Sequence, residues 1–184
     1  MSKRAYSINN PDGIYFVTFS VVNWIDIFIR QRYKNIIVEN LKYCQDNKGL
    51  EIFGWCLMSS HIHLIIRAKE GYNLSNILRD FKKFTSSRLI KSISDTNEPE
   101  SRREWMLWMF ERAAKKNSRN TNYQLWQQNN HAEELFSDKF LHQKLNYIHN
   151  NPVVEGIVEE ADQYLYSSAK NYQDEKGLIE VIFI

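Results

Sequence analysis

The chain has 184 residues, 43% of them hydrophobic and 14% aromatic, with a formal net charge of +2. This length and composition predict one globular domain over residues 1–184 and exclude a disordered chain. A net charge so close to zero does not by itself indicate a nucleic-acid partner, so such a partner must be inferred from where the charges fall.

Cysteine usage and hydropathy indicate the compartment. The two cysteines, Cys44 and Cys56, are too few for a disulfide scaffold or a four-cysteine zinc site, and we expect both to be small buried hydrophobes. Residues 1–10 contain no apolar run of signal-peptide length, and no segment reaches the roughly 18 apolar residues of a membrane span. We therefore expect a cytoplasmic protein without a membrane partner.

The first half of the chain shows alternating strand and helix patterns. Alternating apolar residues predict a strand over residues 13–23, and helical spacing predicts a helix over Gln31–Lys48 that ends before Gly49. A strand over Leu50–Leu57 follows. A short turn then leads into a β-branched strand that starts at His61, which gives a β-hairpin.

The second half begins with a predicted helix over Leu74–Ser94. Residues 101–120 mix basic, tryptophan and methionine residues, and the role of this excursion stays open. A fourth strand is predicted over residues 123–129 and a short last strand over residues 180–184. Between them, Ser137 caps a helix that should end near Asn151, because the residue before a proline is pushed away from helical geometry.

This order of elements predicts an α+β fold: a ferredoxin-like βαββαβ core with an antiparallel sheet. The extra helices would include a C-terminal one that bears Tyr147.

The histidine strand is the first candidate functional stretch. His61 and His63 are separated by one residue, so they share one face of a strand, while Ile62 and Leu64 share the other. Positions two apart on a strand are roughly 6.5–7 Å apart, and two imidazoles leaning together over that gap can hold one metal ion. A His-x-His pair also occurs as surface or core filler, so a second signal is needed.

The second signal is the end of the helix that Ser137 begins. Tyr147 and Asn151 are four residues apart, so they lie one above the other on one side of that helix. The Tyr147 phenol and the Asn151 carboxamide can therefore both contact the structure that packs against this side of the helix.

Together these stretches resemble the single-tyrosine HUH DNA transposases, most closely the REP-associated tyrosine transposases. The resemblance rests on the His-hydrophobe-His pair and on a Tyr-Ile-x-x-Asn-Pro-Val segment, and it spans residues 12–172. The matching residues of that segment are Tyr147, Ile148, Asn151, Pro152 and Val153.

The resemblance implies a site and its cofactor. Tyr147 would be the nucleophile, and His61, His63 and Asn151 would hold a divalent metal ion, magnesium or manganese, although imidazole ligands alone would also suit zinc. His131 would be a group that supports the site or a surface histidine.

It also implies a partner: single-stranded or hairpin DNA, cut to leave a 5′-phosphotyrosine. A basic patch with Arg79, Lys82 and Lys83 would contact phosphates, although a solvated helix face carries such charges as well. The protein would be a monomer, or a homodimer in which Tyr147 acts on the partner's histidines.

Two alternatives remain at this point. A replication or conjugation nickase uses the same histidine clamp, although the Asn-Pro-Val context favours a transposase. A hairpin-DNA-binding protein could keep the fold without catalysis.

Overall fold

The computed structural model describes residues 8–117, 122–128 and 132–184. Its main elements are β1 (Tyr15–Ser20), α1 (Gln31–Lys48), β2 (Leu50–Leu57), β3 (His61–Ala68), α2 (Leu74–Ser94), α3 (Arg103–Lys115), β4 (Ala132–Glu134) and α4 (Asp138–Val154). The predicted bounds of α1, β2 and α2 are confirmed. Among the described residues, no helix is both long enough and apolar enough to cross a bilayer.

The strands form one four-stranded antiparallel sheet in the order β2-β3-β1-β4. The first and third strands of the chain are therefore neighbours at the centre, as expected for a βαββαβ core. The predicted ferredoxin-like fold is confirmed. Helix α3 lies between α2 and β4 in the chain, and α4 follows the core.

The two faces of the sheet differ in what they carry. Along β1, Tyr15, Val17 and Phe19 are at most 2% exposed. They face the helices of the core, where the Phe19 ring stacks on Phe81 of α2 with centroids 5.9 Å apart. Alternate residues such as Thr18 point to the opposite face. That opposite face holds the histidine pair.

Side chains and glycine mark the helix ends. The Asn73 side chain accepts a hydrogen bond from the Asn76 amide at 3.0 Å, and Ser137 Oγ accepts one from the Phe140 amide at 3.3 Å. Each bond satisfies an amide that the first helical turn leaves without a backbone acceptor. Gly49 ends α1 in the left-handed conformation with φ of 68°.

Helix α4 runs past its predicted end. The proline at position 152 was expected to stop the helix near Asn151, but α4 continues to Val154. A proline removes one amide donor, and its own carbonyl still accepts a bond from the Ile157 amide at 2.8 Å. The loss is tolerable in a last turn, and the chain leaves the helix at Gly156, where φ is 69°.

The fourth strand lies later than predicted. Residues 122–128 make only an isolated bridge between Trp126 and Val21, and Asn129 lies outside the described residues. The Trp126 indole is buried and donates to Thr85 Oγ1 at 3.0 Å. The aromatic pattern over residues 123–129 therefore reflects packing against α2. The strand β4 forms instead at Ala132–Glu134 and pairs with β1.

The C-terminal segment packs on the domain without forming the predicted strand over residues 180–184. Ile179 is 1% exposed, and the Ile182 amide donates to the Ile52 carbonyl at 2.9 Å. This contact does not extend into a strand ladder. The prediction of a last strand was wrong.

Candidate active site

Strand β3 places His61 and His63 on one face, with ring centroids 4.7 Å apart. Pairing with β1 sets His63 opposite Thr18 and His61 opposite Ser20. The residue between them, Ile62, is fully buried. The predicted shared face is confirmed, and the two rings are close enough to share a ligand.

His63 is held in one orientation by β1. Its Nδ1 lies 2.7 Å from Thr18 Oγ1, and its ring stacks on Phe16 with centroids 5.5 Å apart. In the tautomer in which Nδ1–H donates to Thr18, Nε2 carries a free lone pair. Nε2 is buried and has no hydrogen-bond partner among the described residues. Burial, and then the positive charges of His61 and Lys144, lower the pKa of His63 to about 3.

His61 lies at the more open end of the pair. Its Nδ1 is 3.3 Å from Ser60 Oγ, and its ring meets the Trp24 ring edge to face with centroids 5.6 Å apart. Burial lowers the pKa of His61, while the charge of Glu155 acts in the opposite direction. Burial thus favours the neutral form of both imidazoles, which is the form that binds metal ions.

Helix α4 reaches the histidine face by packing against Gly54 of β2. A Cβ at Gly54 would lie 2.6 Å from Cδ1 of Leu145 and 3.1 Å from Cδ1 of Ile148. Both of these side chains are buried. The apolar side of α4 therefore sits where β2 has no side chain, and this close approach brings Tyr147 to the sheet.

Tyr147 completes the cluster within the same chain. Its ring centroid is 5.5 Å from that of His63 and 6.2 Å from that of Phe16. The side chain is 50% exposed. The phenol thus lies between a buried imidazole and solvent, where an incoming substrate can meet both.

Asn151 lies one helical turn after Tyr147, on the same side of α4. Its Nδ2 is buried and has no hydrogen-bond partner among the described residues. Turning the amide over exchanges Nδ2 for the oxygen that ligates metal ions. No cluster of three His, Cys, Asp or Glu residues forms in the described ranges, so the amide is the third candidate ligand. His131 lies outside the described residues.

His63 and Asn151 each have a buried side-chain nitrogen without a hydrogen-bond partner among the described residues, which is the kind of atom that a bound metal ion could satisfy. Such atoms are rare in folded proteins, because burial without a partner costs free energy. A bound cation would satisfy the imidazole nitrogen directly and the amide through its oxygen. The residues present therefore fit a metal ion.

Three further side chains, which the sequence did not predict, lie beside the rings of the site. Lys144 pairs with Glu133 of β4 at 2.7 Å and lies 4.6 Å from the Phe16 ring centroid. Its position three residues before Tyr147 on one helix was a readable signal. Thr18 and Trp24 gave no such signal, because their contacts depend on the register of β1 and on the turn after it.

The three predicted DNA-binding residues lie on α2, which packs on the sheet face opposite to the histidines. Lys83 is exposed, and Arg79 is exposed but paired at 3.0 Å with the aspartate that follows it. The Lys82 ammonium donates to the Gln127 carbonyl at 3.0 Å, and burial lowers the pKa of Lys82 to about 8. The three side chains share one helix, but they do not lie on the sheet face that carries the predicted metal ligands, and their contact with DNA stays a prediction.

A groove of about 690 Å³ separates α2 from residues 122–128 and is lined by all three basic residues. The Gln127 amide donates to the Ser20 carbonyl at 2.8 Å, and Ser20 pairs with His61. The segment 122–128 therefore connects the groove on one face to the strand ends beside His61.

Two comparisons with known proteins gave matches. Residues 15–151 match the family model of IS200-like transposases, a range that includes the sheet, both histidines and α4 through Asn151. A solved structure of a REP-associated tyrosine transposase bound to a REP hairpin is similar over 100% of this chain and 95% of that chain. The TM-score is 0.65 and the sequence identity 18%, so that likeness concerns the fold. No curated protein matches. Because the family match covers most of its length, the chain belongs to the IS200-like transposase family.

Proposed function

We propose that this transposase cuts and rejoins single-stranded DNA at a hairpin, with Tyr147 as the nucleophile. A divalent metal ion would be held by His61, His63 and Asn151. The observation that carries the proposal is the 5.5 Å separation of the Tyr147 and His63 rings, beside an imidazole nitrogen that is buried and unpartnered.

The donor set suits magnesium or manganese. Two neutral imidazoles and one amide oxygen leave coordination positions for water and a phosphate oxygen. When bound, the ion would supply Lewis-acid neutralisation of the phosphate charge. Thr18 would hold the His63 ring in the ligating tautomer, as groups behind metal-binding histidines commonly do.

The chain's own residues account for the bond changes. Tyr147 Oη attacks the phosphorus, the bond from phosphorus to the 3′ oxygen breaks, and the leaving 3′ oxygen takes up a proton. The phenolic proton passes to solvent, which reaches the half-exposed ring. The downstream DNA stays attached through its 5′ phosphate. Attack of a 3′-hydroxyl on this phosphotyrosine rejoins the DNA and restores the phenol.

Hairpin DNA is the proposed substrate. A protein with a similar fold has been solved with a REP hairpin. In this chain, the groove lined by Arg79, Lys82 and Lys83 offers positive charge for a phosphate backbone. Lys83 and Arg79 are both exposed in this patch, and the Lys82 ammonium donates to the Gln127 carbonyl.

A covalent-adduct assay tests the proposal. A hairpin oligonucleotide with single-stranded flanks, labelled at its 3′ end, should migrate with the protein on a denaturing gel when manganese or magnesium is present. Tyr147→Phe should abolish this adduct and keep retention of the oligonucleotide. The matched control is Tyr43→Phe, because Tyr43 is 51% exposed, like the 50% of Tyr147, and lies on α1.

The metal role is tested in the same assay. His61→Ala and His63→Ala should abolish cleavage while oligonucleotide binding persists, whereas His142→Ala, an exposed histidine of α4, should cleave normally. An adduct that persists in Tyr147→Phe would reject the nucleophile. Retention of the hairpin without any adduct in the wild-type protein, with every metal ion tried, would indicate a DNA-binding protein without catalysis.

A further inference from the structure

A second pocket lies beside His61, between the turn that follows β1 and helix α3. Its volume is about 730 Å³. The side chains that matter here are Asn23, Trp24, Arg112, Lys116, Gln127 and Gln128. It shares Gln124 and Gln128 with the α2 groove but opens on the other side of residues 122–128, toward the turn after β1.

Trp24 is displayed by a strained turn. Its side chain is 58% exposed although the neighbouring Val22 and Ile25 are buried. Both Asn23 and Trp24 have φ of 55°, a left-handed conformation that side chains other than glycine adopt at a cost. The turn is held by the Val22 amide, which donates to the Leu125 carbonyl at 2.8 Å. A costly backbone that presents a large aromatic ring to solvent points to a ligand for that ring.

The position of Trp24 relates the pocket to the chemistry. Its ring meets the His61 ring with centroids 5.6 Å apart and an interplanar angle of 78°. This contact involves an edge, so the exposed part of the indole remains open toward the pocket. A planar group stacked on Trp24 would therefore lie next to a phosphate at His61.

The opposite wall supplies cations and amides. Arg112 and Lys116 are exposed on α3 and at its end, and none of the described lining residues is acidic. Nε2 of the Gln127 side chain donates to the Val21 carbonyl at 3.1 Å, which leaves Oε1 of the same side chain as an acceptor for the pocket. Such a wall is suited to a nucleotide, because its cations can contact phosphates and its amides can form hydrogen bonds with the edge of a base.

We propose that this pocket binds one unpaired nucleotide next to the phosphodiester that Tyr147 attacks, with its base stacked on Trp24. Arg112 and Lys116 would contact the flanking phosphates. This inference rests on the proposed function, because it places the reacting phosphate at His61, and it adds the site that fixes which nucleotide lies beside the cut.

The test pairs a protein change with a DNA change. Both proteins carry Tyr147→Phe so that no DNA is cut, and one also carries Trp24→Ala. Their affinities are measured by fluorescence anisotropy for hairpin oligonucleotides in which each flanking nucleotide in turn is made abasic. We expect one abasic position to weaken binding about tenfold when Trp24 is present and to have little effect in Trp24→Ala.

Two variants control for folding and for aromatic content. Trp24→Phe keeps a ring and should retain most of the sensitivity to that abasic position. Trp105→Ala removes a tryptophan of α3 that is 47% exposed and does not line the pocket, and it should behave like the parent protein. Circular dichroism checks that the variants keep the secondary structure of the parent.

The outcomes are distinguishable. Equal abasic losses with and without Trp24 would overturn the proposal, because Trp24 would then serve only to pack His61. The expected coupling without any covalent adduct in the wild-type protein would support the pocket and reject the proposed chemistry. A covalent adduct without any coupling between Trp24 and an abasic position would support the proposed chemistry and reject the nucleotide pocket.

The cationic wall has its own readout. Lys116→Gln should weaken binding at all abasic positions alike and reduce the slope of log affinity against log salt by about 0.7. Lys115→Gln is the matched control, since Lys115 pairs with Glu111 at 2.7 Å and does not line the pocket. An unchanged slope in Lys116→Gln would remove this wall from the binding site.

Discussion

The Thr18 hydroxyl lies 2.7 Å from Nδ1 of His63, across the pairing of the two central strands. Thr18→Val removes this hydrogen bond and keeps a side chain of similar shape, so the imidazole loses the partner that fixes its tautomer. We expect manganese affinity to fall by about 10–100-fold, as for other groups behind metal-binding histidines. Calorimetric titration without DNA measures this directly. Thr18→Ser should retain binding, and equal affinities in the valine and serine variants would contradict the role.

Gly54 sets how closely the tyrosine helix approaches the sheet. Gly54→Ala puts a methyl group 2.6 Å from Cδ1 of Leu145, so α4 must move outward or repack. We expect a loss of about 1–3 kcal/mol in the free energy of unfolding, typical of an overpacked contact, and slower adduct formation. Metal affinity should change less than the rate, because both histidines lie on β3. Leu145→Val in the same protein should restore part of the rate, and failure to do so would locate the defect elsewhere.

Acid should destabilise the metal-free protein. Burial lowers the pKa of His149 to about 4, and burial with neighbouring positive charge lowers that of His63 to about 3. Unfolded histidines titrate near 6.5, so between about pH 6.5 and 5 the unfolded state binds more protons than the folded state. The free energy of unfolding should therefore fall by about 1 kcal/mol per pH unit for each histidine. Urea unfolding in EDTA at several pH values measures this slope.

Variants assign that slope to particular histidines. His149→Gln keeps a side chain able to reach Ser168 Oγ, which lies 2.7 Å from His149 Nε2, and it should remove about half of the pH dependence. His142→Gln changes an exposed histidine and should leave the slope unchanged. A slope that is the same in both variants would show that His149 titrates normally.

The single-chain arrangement of Tyr147 and His63 predicts the outcome of a mixing experiment. Tyr147→Phe lacks the nucleophile and His63→Ala lacks a metal ligand, and the two rings meet within one chain. A mixture of the two inactive proteins should therefore form no covalent adduct. Recovery of the adduct in the mixture, and not in either protein alone, would show that Tyr147 acts on a partner's histidines.

Several elements could be predicted closely because their signals are local. Asn73 and Gly49 mark helix ends by their own conformations and hydrogen bonds, so α1 and α2 were placed correctly. The fourth strand was misplaced because the residues around Trp126 have a strand-like sequence pattern. The Trp126 indole instead packs in the core and donates a hydrogen bond to Thr85. Such a tertiary contact overrides local propensity, and sequence spacing does not reveal it.

The site could be predicted in part for the same reason. His61 and His63 share one strand, and Tyr147 and Asn151 share one helix, so spacing alone pairs them. What joins the two pairs is the packing of α4 at Gly54, and this depends on which strand the helix meets. The local sequence of β2 does not indicate that a helix packs against its glycine.

The placement of α2 on the sheet face opposite to the histidines has a consequence for substrate length. DNA that contacts Lys83 and also places a phosphate at His61 must pass around the edge of the sheet beside Gln127. Because this path leads from one face of the sheet to the other, a short single-stranded segment must span the sheet between the two contacts. An oligonucleotide trimmed below that span can occupy either region but not both, and its minimum productive size is thereby set by the thickness of the protein.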